Sequence, residues 1–219
     1  MAEKKRPRRT RERILETSLA LFNRLGEPHV TTADIADELN ISPGNLYYHF
    51  RNKDDIIGEL YAAYEAEVQP LLVVPADRAA GVDDLWLLLH LLFERMWQFR
   101  FLFRDLDEIA SRNRKLAQRF AELLRRGEST VVELCRAMVA AKTMHASERE
   151  IAAVANNVVL VATYWLSFQR ISSTPVDQGD GDTATARLDR AAYQVLALIA
   201  PFMVGSARAL IDRLGSDYL

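Results

Sequence analysis

Apolar residues recur along this chain at three- and four-residue spacings and almost never at the two-residue spacing of a strand. Ile14, Leu15, Leu19, Phe22 and Leu25 form the first stripe, behind Thr10 as N-cap and ahead of Gly26 as stop. Thr31 and Asp34 have the spacing of a capping box and predict a helix over 32–39, with Ile35, Ala36 and Leu39 inward. Asn40 suits a left-handed turn. Ser42 then caps a short third helix, with Pro43 at its first position and an end near Phe50. A fourth helix starts at Asn52 and Asp55, carries Ile56, Ile57, Leu60, Tyr61, Tyr64 and Val68, and closes at Pro70.

Beyond a Pro-, Gly- and Ala-containing connection at 70–82, helix five (83–103) is apolar at fourteen of the nineteen positions from Leu85 to Phe103. Such a helix belongs inside a bundle. Helices follow over 105–126, where Arg125, Arg126 and Gly127 read as an end, and over 128–144. Ser147 and Glu150 box the next, which reaches Ile171; residues 172–183 read as a polar loop, and a last helix spans 184–214 with a kink at Pro201. The expected fold is all-α, about nine helices. Its organisation is a basic arm (1–7), a first domain (8–68) containing the motif 31–50, and a larger helical domain (69–219).

Composition narrows the class further. Nine Gly and seven Pro fall well below the roughly 12% of average usage, which favours long helices over a barrel or sandwich. A lone Cys135 rules out an intrachain disulfide or a cysteine zinc site and reads as a cytoplasmic chain. Leu85–Phe93 is too short to span a bilayer, so no membrane partner is expected. The net charge of −2 hides an asymmetry: residues 1–53 carry ten basic and seven acidic side chains, the remainder eighteen and twenty-three. The four histidines (29, 49, 90, 145) lack metal-ligand spacing, and no nucleophile elbow or phosphate loop is present. No metal, cofactor or catalytic residue is expected.

Two short helices joined at Asn40–Ile41 form a helix-turn-helix, whose second helix enters the DNA major groove. In that helix Ser42, Pro43 and Gly44 allow close approach, and Asn45, Tyr47, Tyr48 and His49 carry hydrogen-bonding tips. Leu46 and Phe50 share the opposite, inward face; for Tyr47 and Tyr48 the pattern leaves reading and packing open. Lys4, Lys5, Arg6, Arg8, Arg9, Arg11 and Arg13 supply a basic arm for the minor groove or the phosphates, and Lys53 adds a phosphate contact.

Residues 8–68 resemble the DNA-binding domain of the TetR family of bacterial transcriptional regulators. The resemblance rests on Arg13–Phe22 (RILETSLALF), Thr31–Ala36 (TTADIA) and Ile41–Phe50 (ISPGNLYYHF) followed by Lys53. It implies three DNA-binding helices ahead of an effector-binding, dimerising domain. By position, Thr31 and Thr32 would meet phosphates, Ser42, Pro43, Gly44, Asn45 and Tyr48 would approach bases or phosphates, and Tyr47, His49 and Lys53 would hold the backbone.

Trp86, His90, Phe93, Trp97 and Phe101 make one stripe of helix five, which reads as an ordinary core stripe or as the wall of a pocket for an apolar or aromatic effector. Asn157 and Tyr164 are further polar handles, and Arg95, Arg100 and Arg104 are candidates for an acidic ligand group. Val158, Trp165 and Phe168 of one long helix and Val195, Ile199 and Phe202 of the last would form a homodimer interface, burial within one subunit being the alternative. The expected function is a ligand-responsive, operator-binding regulator with the sign of a repressor. The rival is a helical small-molecule carrier that has lost its operator.

Overall fold

The computed structural model describes residues 6–75, 78, 80–172 and 184–216, so Lys4, Lys5 and nearly all of the loop expected at 172–183 lie outside the described residues. Among the described residues the chain is helices joined by short connections, with no strand and one isolated bridge between Met144 and Met203. The helices are α1 (Arg6–Leu25), α2 (Thr32–Glu38), α3 (Pro43–His49), α4 (Lys53–Val68), α5 (Val82–Gln98), α6 (Phe101–Arg104), α7 (Leu106–Arg112), α8 (Arg114–Ala140), α9 (Glu148–Ser172), α10 (Ala184–Ile199) and α11 (Gly205–Ser216).

Among the described residues eleven α-helices stand where about nine helices were expected, and the differences have local causes. α1 begins at Arg6 instead of after Thr10, which places Arg8 and Arg9 in a helix and not in a loose arm. Helix five ends at Gln98, and the amide of Phe101 donates to Asn23 Oδ1 at 3.1 Å instead of to α5. The stop expected at Gly127 is absent: α8 runs through it, because one helical glycine costs only about 1 kcal/mol and the buried Leu123, Val131, Leu134 and Met138 outweigh it. The break falls earlier, at Asn113, whose Oδ1 accepts from the amide of Leu116 at 3.0 Å. Pro201 does more than kink the last helix: a single 3-10 turn, Ala200–Phe202, separates α10 from α11.

Two compact units result. The first is the chain up to Ala66 together with Phe99–Arg119. A boundary near residue 69 does not foresee the second of these segments. The core of this unit joins Ile14, Phe22, Ile35, Leu46, Phe50, Ile56, Ile57 and Tyr61 to Phe101, Leu102 and Ile109. Phe22 and Phe101 pack with ring centroids 5.2 Å apart, and Tyr64 meets Phe103 edge-on at 5.4 Å. Arg11 lies over the Phe50 ring at 4.4 Å and is ion-paired to Glu59, which ties α1 to α3 and α4.

The second unit is Glu67–Gln98 with the chain from Phe120 onward. In it α10 packs on both α5 and α9. Leu85, Leu89, Phe93, Met96, Leu134, Met138, Ile151, Val154, Val158, Val195, Leu196 and Ile199 are buried. Cys135 is a core residue whose thiol burial pushes up to about 11. α9 is long and apolar enough to cross a membrane by length and composition alone, a feature that the shorter stretch at 85–93 does not reveal. Its Ile151, Val154, Ala155, Val158, Ala162 and Leu166 are buried within the unit.

Candidate nucleic-acid interface

The reading head is built by three local devices. Gly26, at φ +91°, ends α1, since only a residue without Cβ adopts that backbone without strain. Thr31 then caps α2 reciprocally: its Oγ1 accepts from the Asp34 amide at 3.2 Å, and Asp34 Oδ2 accepts from the Thr31 amide at 2.7 Å. That backbone N–H, with the Thr31 hydroxyl, holds the Asp34 carboxyl below its ordinary range. Asn40 turns the chain at φ +53°, the Ile41 amide returns to the Ala36 carbonyl at 3.0 Å, and Ser42 Oγ accepts from the Asn45 amide at 3.2 Å to start α3.

The helix that results is two-sided. Leu46 and the following Phe50 are buried, while Ser42, Pro43, Gly44, Asn45, Tyr47 and Tyr48 are exposed. The question left open for the two tyrosines is settled: Tyr47 is 51% and Tyr48 79% exposed, so neither packs the core. Tyr47 OH lies 3.0 Å from Thr32 Oγ1, joining the start of α2 to the outward face of α3, and Tyr48 meets the His49 ring edge-on at 5.1 Å. A Cβ placed on Gly44 would meet only Ser42 Oγ, at 4.0 Å. The molecule's own packing therefore does not demand a glycine there, and its smallness is available to an external surface. Arg9 is exposed in the first turns of α1; the side chain of Arg8 lies outside the described residues.

Lys53 departs from expectation. Its ammonium donates to the carbonyls of Glu27 and Val30, both at 3.0 Å, and pairs with Glu27 Oε1 at 2.7 Å. Three inward partners use its three protons, so in this state it holds the α1–α2 connection and offers none to a phosphate. Glu27 and its second cation, Arg112 at 2.8 Å, went unremarked in the sequence, because their separation of 85 residues leaves no periodic signal.

In the second unit Trp86 and His90 of α5 stack, centroids 5.2 Å apart and 15° from parallel, with His90 Nδ1 3.8 Å from Asp189 Oδ1. Phe93 is buried beside them on the same helix and Trp97 is half-buried. Phe101 is not part of this wall, since it packs on Phe22 in the first unit. Arg104 is likewise spent there, donating to the Asn23 carbonyl at 3.0 Å, and Arg95 pairs with Glu67 at 3.5 Å. Asn157 and Tyr164 point outward from α9 and line no interior.

The expected dimer residues divide. Val158, Val195 and Ile199 are buried within the second unit, which leaves them no surface for a second subunit. Trp165 and Phe202 are half-buried. Phe168 is 59% exposed, and it belongs to an outward stripe completed by Leu160, Tyr164 and the 82% exposed Ile171.

Comparison with known proteins agrees with this geometry along the chain. The profile described as bacterial regulatory proteins, tetR family, matches residues 14–60, and that described as bacterial transcriptional repressor, TetR, matches residues 63–211. A TetR-family transcriptional regulator from Marinobacter aquaeolei superimposes with a TM-score of 0.85 at 35% identity, covering 95% of this chain and 98% of the other. SmeT, solved in complex with triclosan, shares the fold at a TM-score of 0.62 and 17% identity over 91% of this chain and 94% of its own. Among curated relatives, the "Probable acrEF/envCD operon repressor" of Escherichia coli is 38% identical over 53 residues, 24% of each chain. The regulator AcrR of Shigella flexneri is 29% identical over 68 residues, 31% of this chain and 32% of its own. The chain thus spans only about a quarter to a third of the length of these curated relatives. With the two profiles matching residues 14–60 and 63–211 and a structural relative at 35% identity over 95% of the chain, this chain belongs to the TetR family of bacterial transcriptional regulators, a family of transcription factors and not of enzymes.

Proposed function

We propose that this protein is a homodimeric repressor that holds a specific operator through α3 and releases it when a largely apolar or aromatic small molecule binds the second unit. The observation that carries the reading is the outward face of α3. Two tyrosine hydroxyls, an asparagine amide, a serine and a glycine stand in water on a capped helix whose other face is core. A monomer has no use for an exposed Tyr48; a major groove offers it base edges and phosphates. Thr31 and Thr32 at the start of α2, Arg9 on α1 and His49 at the end of α3 would hold the backbone on either side.

Dimerisation is supported by the apolar stripe on α9, where Leu160, Tyr164, Phe168 and Ile171 recur at helical spacing and stay exposed, Phe168 with one face against the Trp165 ring at 5.7 Å. Matched against itself across a two-fold axis, such a stripe forms an isologous helical interface. Two copies of α3 would then enter successive major grooves about 34–36 Å apart. Release follows if the effector binds better to a state in which that spacing is lost. The stacked Trp86–His90 pair supports an aromatic or apolar effector, and the fold relative bound to triclosan shows that a fold of this kind accommodates a small molecule.

The test is titration of the purified protein against the DNA upstream of its own gene and against duplexes selected in vitro, beside a non-specific duplex at one salt concentration. A preference of about 10³ or more is expected, within the usual ~10³–10⁷ for specific sites. Equal, weak binding to every duplex overturns the repressor and leaves the carrier.

A further inference from the structure

The charged group held most completely inside the first unit is Glu27. Its side chain is wholly buried, a costly place for a carboxylate unless it is paired. Both of its cations converge on one oxygen: Lys53 Nζ at 2.7 Å and Arg112 Nη2 at 2.8 Å from Oε1, while Oε2 has no hydrogen-bond partner. Arg112, the last residue of α7, also reaches Asp54 at the start of α4 at 3.1 Å and Glu108 one turn back at 3.8 Å. Around this centre the last turn of α1 and the turn after it are held at three more points by the returning segment. Asp105 Oδ2 accepts from the Glu27 amide at 2.8 Å, Arg104 donates to the Asn23 carbonyl, and Asn23 Oδ1 accepts from the Phe101 amide.

The positions of these ties matter more than their number. Lys53 binds the carbonyls of Glu27 and Val30, which bracket the 3-10 turn Glu27–His29, and the next residue, Thr31, caps α2. Lys53 itself lies four positions past the end of α3. The Glu27 carboxylate therefore grips the helix-turn-helix at its entrance and at its exit, and Arg112 fastens that grip to α7. A carboxylate with two cations on one oxygen and none on the other is also incompletely satisfied. In a low-dielectric interior that makes the arrangement sensitive to small displacements of either cation.

We propose that Glu27, through Lys53 and Arg112, is a positioning residue for operator binding. It sets α2 and α3 at the angle that the DNA requires and makes that setting depend on where Phe99–Arg112 lies. This rests on the reading of α3 as the operator-contacting helix. None of the three side chains touches the DNA in this role. Lys53 is held back from the phosphates, and Glu27 and Arg112 lie behind it. Any displacement of the segment 99–112 reaches the head through one carboxylate.

The experiment uses the full-length protein and a duplex that the wild type prefers, with Glu27→Gln, Arg112→Gln, the double variant, Arg112→Lys and Asp54→Asn. Operator preference, the ratio of specific to non-specific affinity, is measured well below each variant's Tm, where a merely structural contribution leaves the ratio of the folded molecules unchanged. Glu27→Gln and Arg112→Gln are each expected to lower the preference by about 5–150-fold, the usual span for coupled sites. The double variant should lose no more than the worse single one. Arg112→Lys, which reaches Glu27 but not Asp54 with one head group, should recover part of the loss, and Asp54→Asn should lose least. Should Glu27→Gln fail to fold, the half-exposed Arg112 and Asp54 decide the matter alone. Wild-type preference in the folded variants, a gain, or strictly additive losses overturns the proposal. Absence of any preferred duplex for the wild type itself overturns the operator reading instead.

Discussion

Two helices of this molecule hold aromatic side chains out in water, in opposite chemical company. On α3, Tyr47 and Tyr48 stand among Ser42, Gly44, Asn45 and Thr32, so every aromatic ring carries or adjoins a hydrogen-bonding tip. On α9, Tyr164 and Phe168 stand with Leu160 and Ile171 along a helix of 25 residues, and the face is nearly all carbon. The first is short, capped and shaped for a polar, ordered surface that can be read; the second is long and uniform, suited to another apolar helix. Exposed aromatic surface alone would not separate a DNA-binding face from a subunit interface. In the roles proposed for these two faces, the polar atoms beside it make the difference.

The sharpest way to break this comparison is to charge the α9 stripe. Leu160→Asp with Phe168→Asp should reduce the solution mass from twice 24.9 kDa to the single-chain value, measured by light scattering. Operator affinity should fall with it by about 10²–10⁴, because bivalent engagement is lost. A dimer that survives both charges moves the interface elsewhere. Next in size, Asn45→Ala or Tyr48→Ala should cost the operator complex roughly 1–3 kcal/mol, about five- to 150-fold, by titration at fixed salt, with the dimer mass unchanged. If the α3 variants alter mass and the α9 variants do not, the two roles have been assigned the wrong way round.

Smaller effects sharpen the picture. Deleting residues 1–5 removes Lys4 and Lys5 and should flatten the slope of log affinity against log salt by up to about two, since roughly one counterion is released per phosphate contact. An unaltered slope makes those residues bystanders. Thr31→Ala should lower stability by about 1 kcal/mol, seen as a fall in Tm by calorimetry. The sign with pH follows from the Asp34 carboxyl, whose native value lies below its ordinary 3.8. Its contribution is present above that ordinary value and fades as pH falls through the lowered one. The Tm gap between wild type and Asp34→Asn should therefore close on acidification below about pH 4. A gap that widens instead removes the capping box from the account.

What could be read before the structure was whatever the chain settles within a few residues. Gly26, the Thr31–Asp34 box, Asn40 at positive φ and Ser42–Pro43 each act through backbone geometry one to three positions away, so their residue types announce the turn and the two helices. The inward pair Leu46 and Phe50 was legible for the same reason. Where helix ends depended on distant partners, the reading failed. Gly127 looks like a stop until the core around α8 is known, and helix five looks continuous until Asn23 takes the amide of Phe101.

The same division separates the faces from the contacts. Periodicity marks α9 as apolar on more than one side, but an apolar stripe costs the same to bury against its own subunit as against a second copy. Only packing decided that Val158 goes inward and Phe168 stays in water. Charge is still less legible. The composition shows Lys53 as one cation after a reading helix, and nothing local distinguishes a lysine free for a phosphate from one held by a buried carboxylate. Glu27, 26 residues before Lys53 and 85 before Arg112, is brought to both by the tertiary fold, because electrostatic pairing follows distance in space and desolvation, neither of which is written in the order of residues.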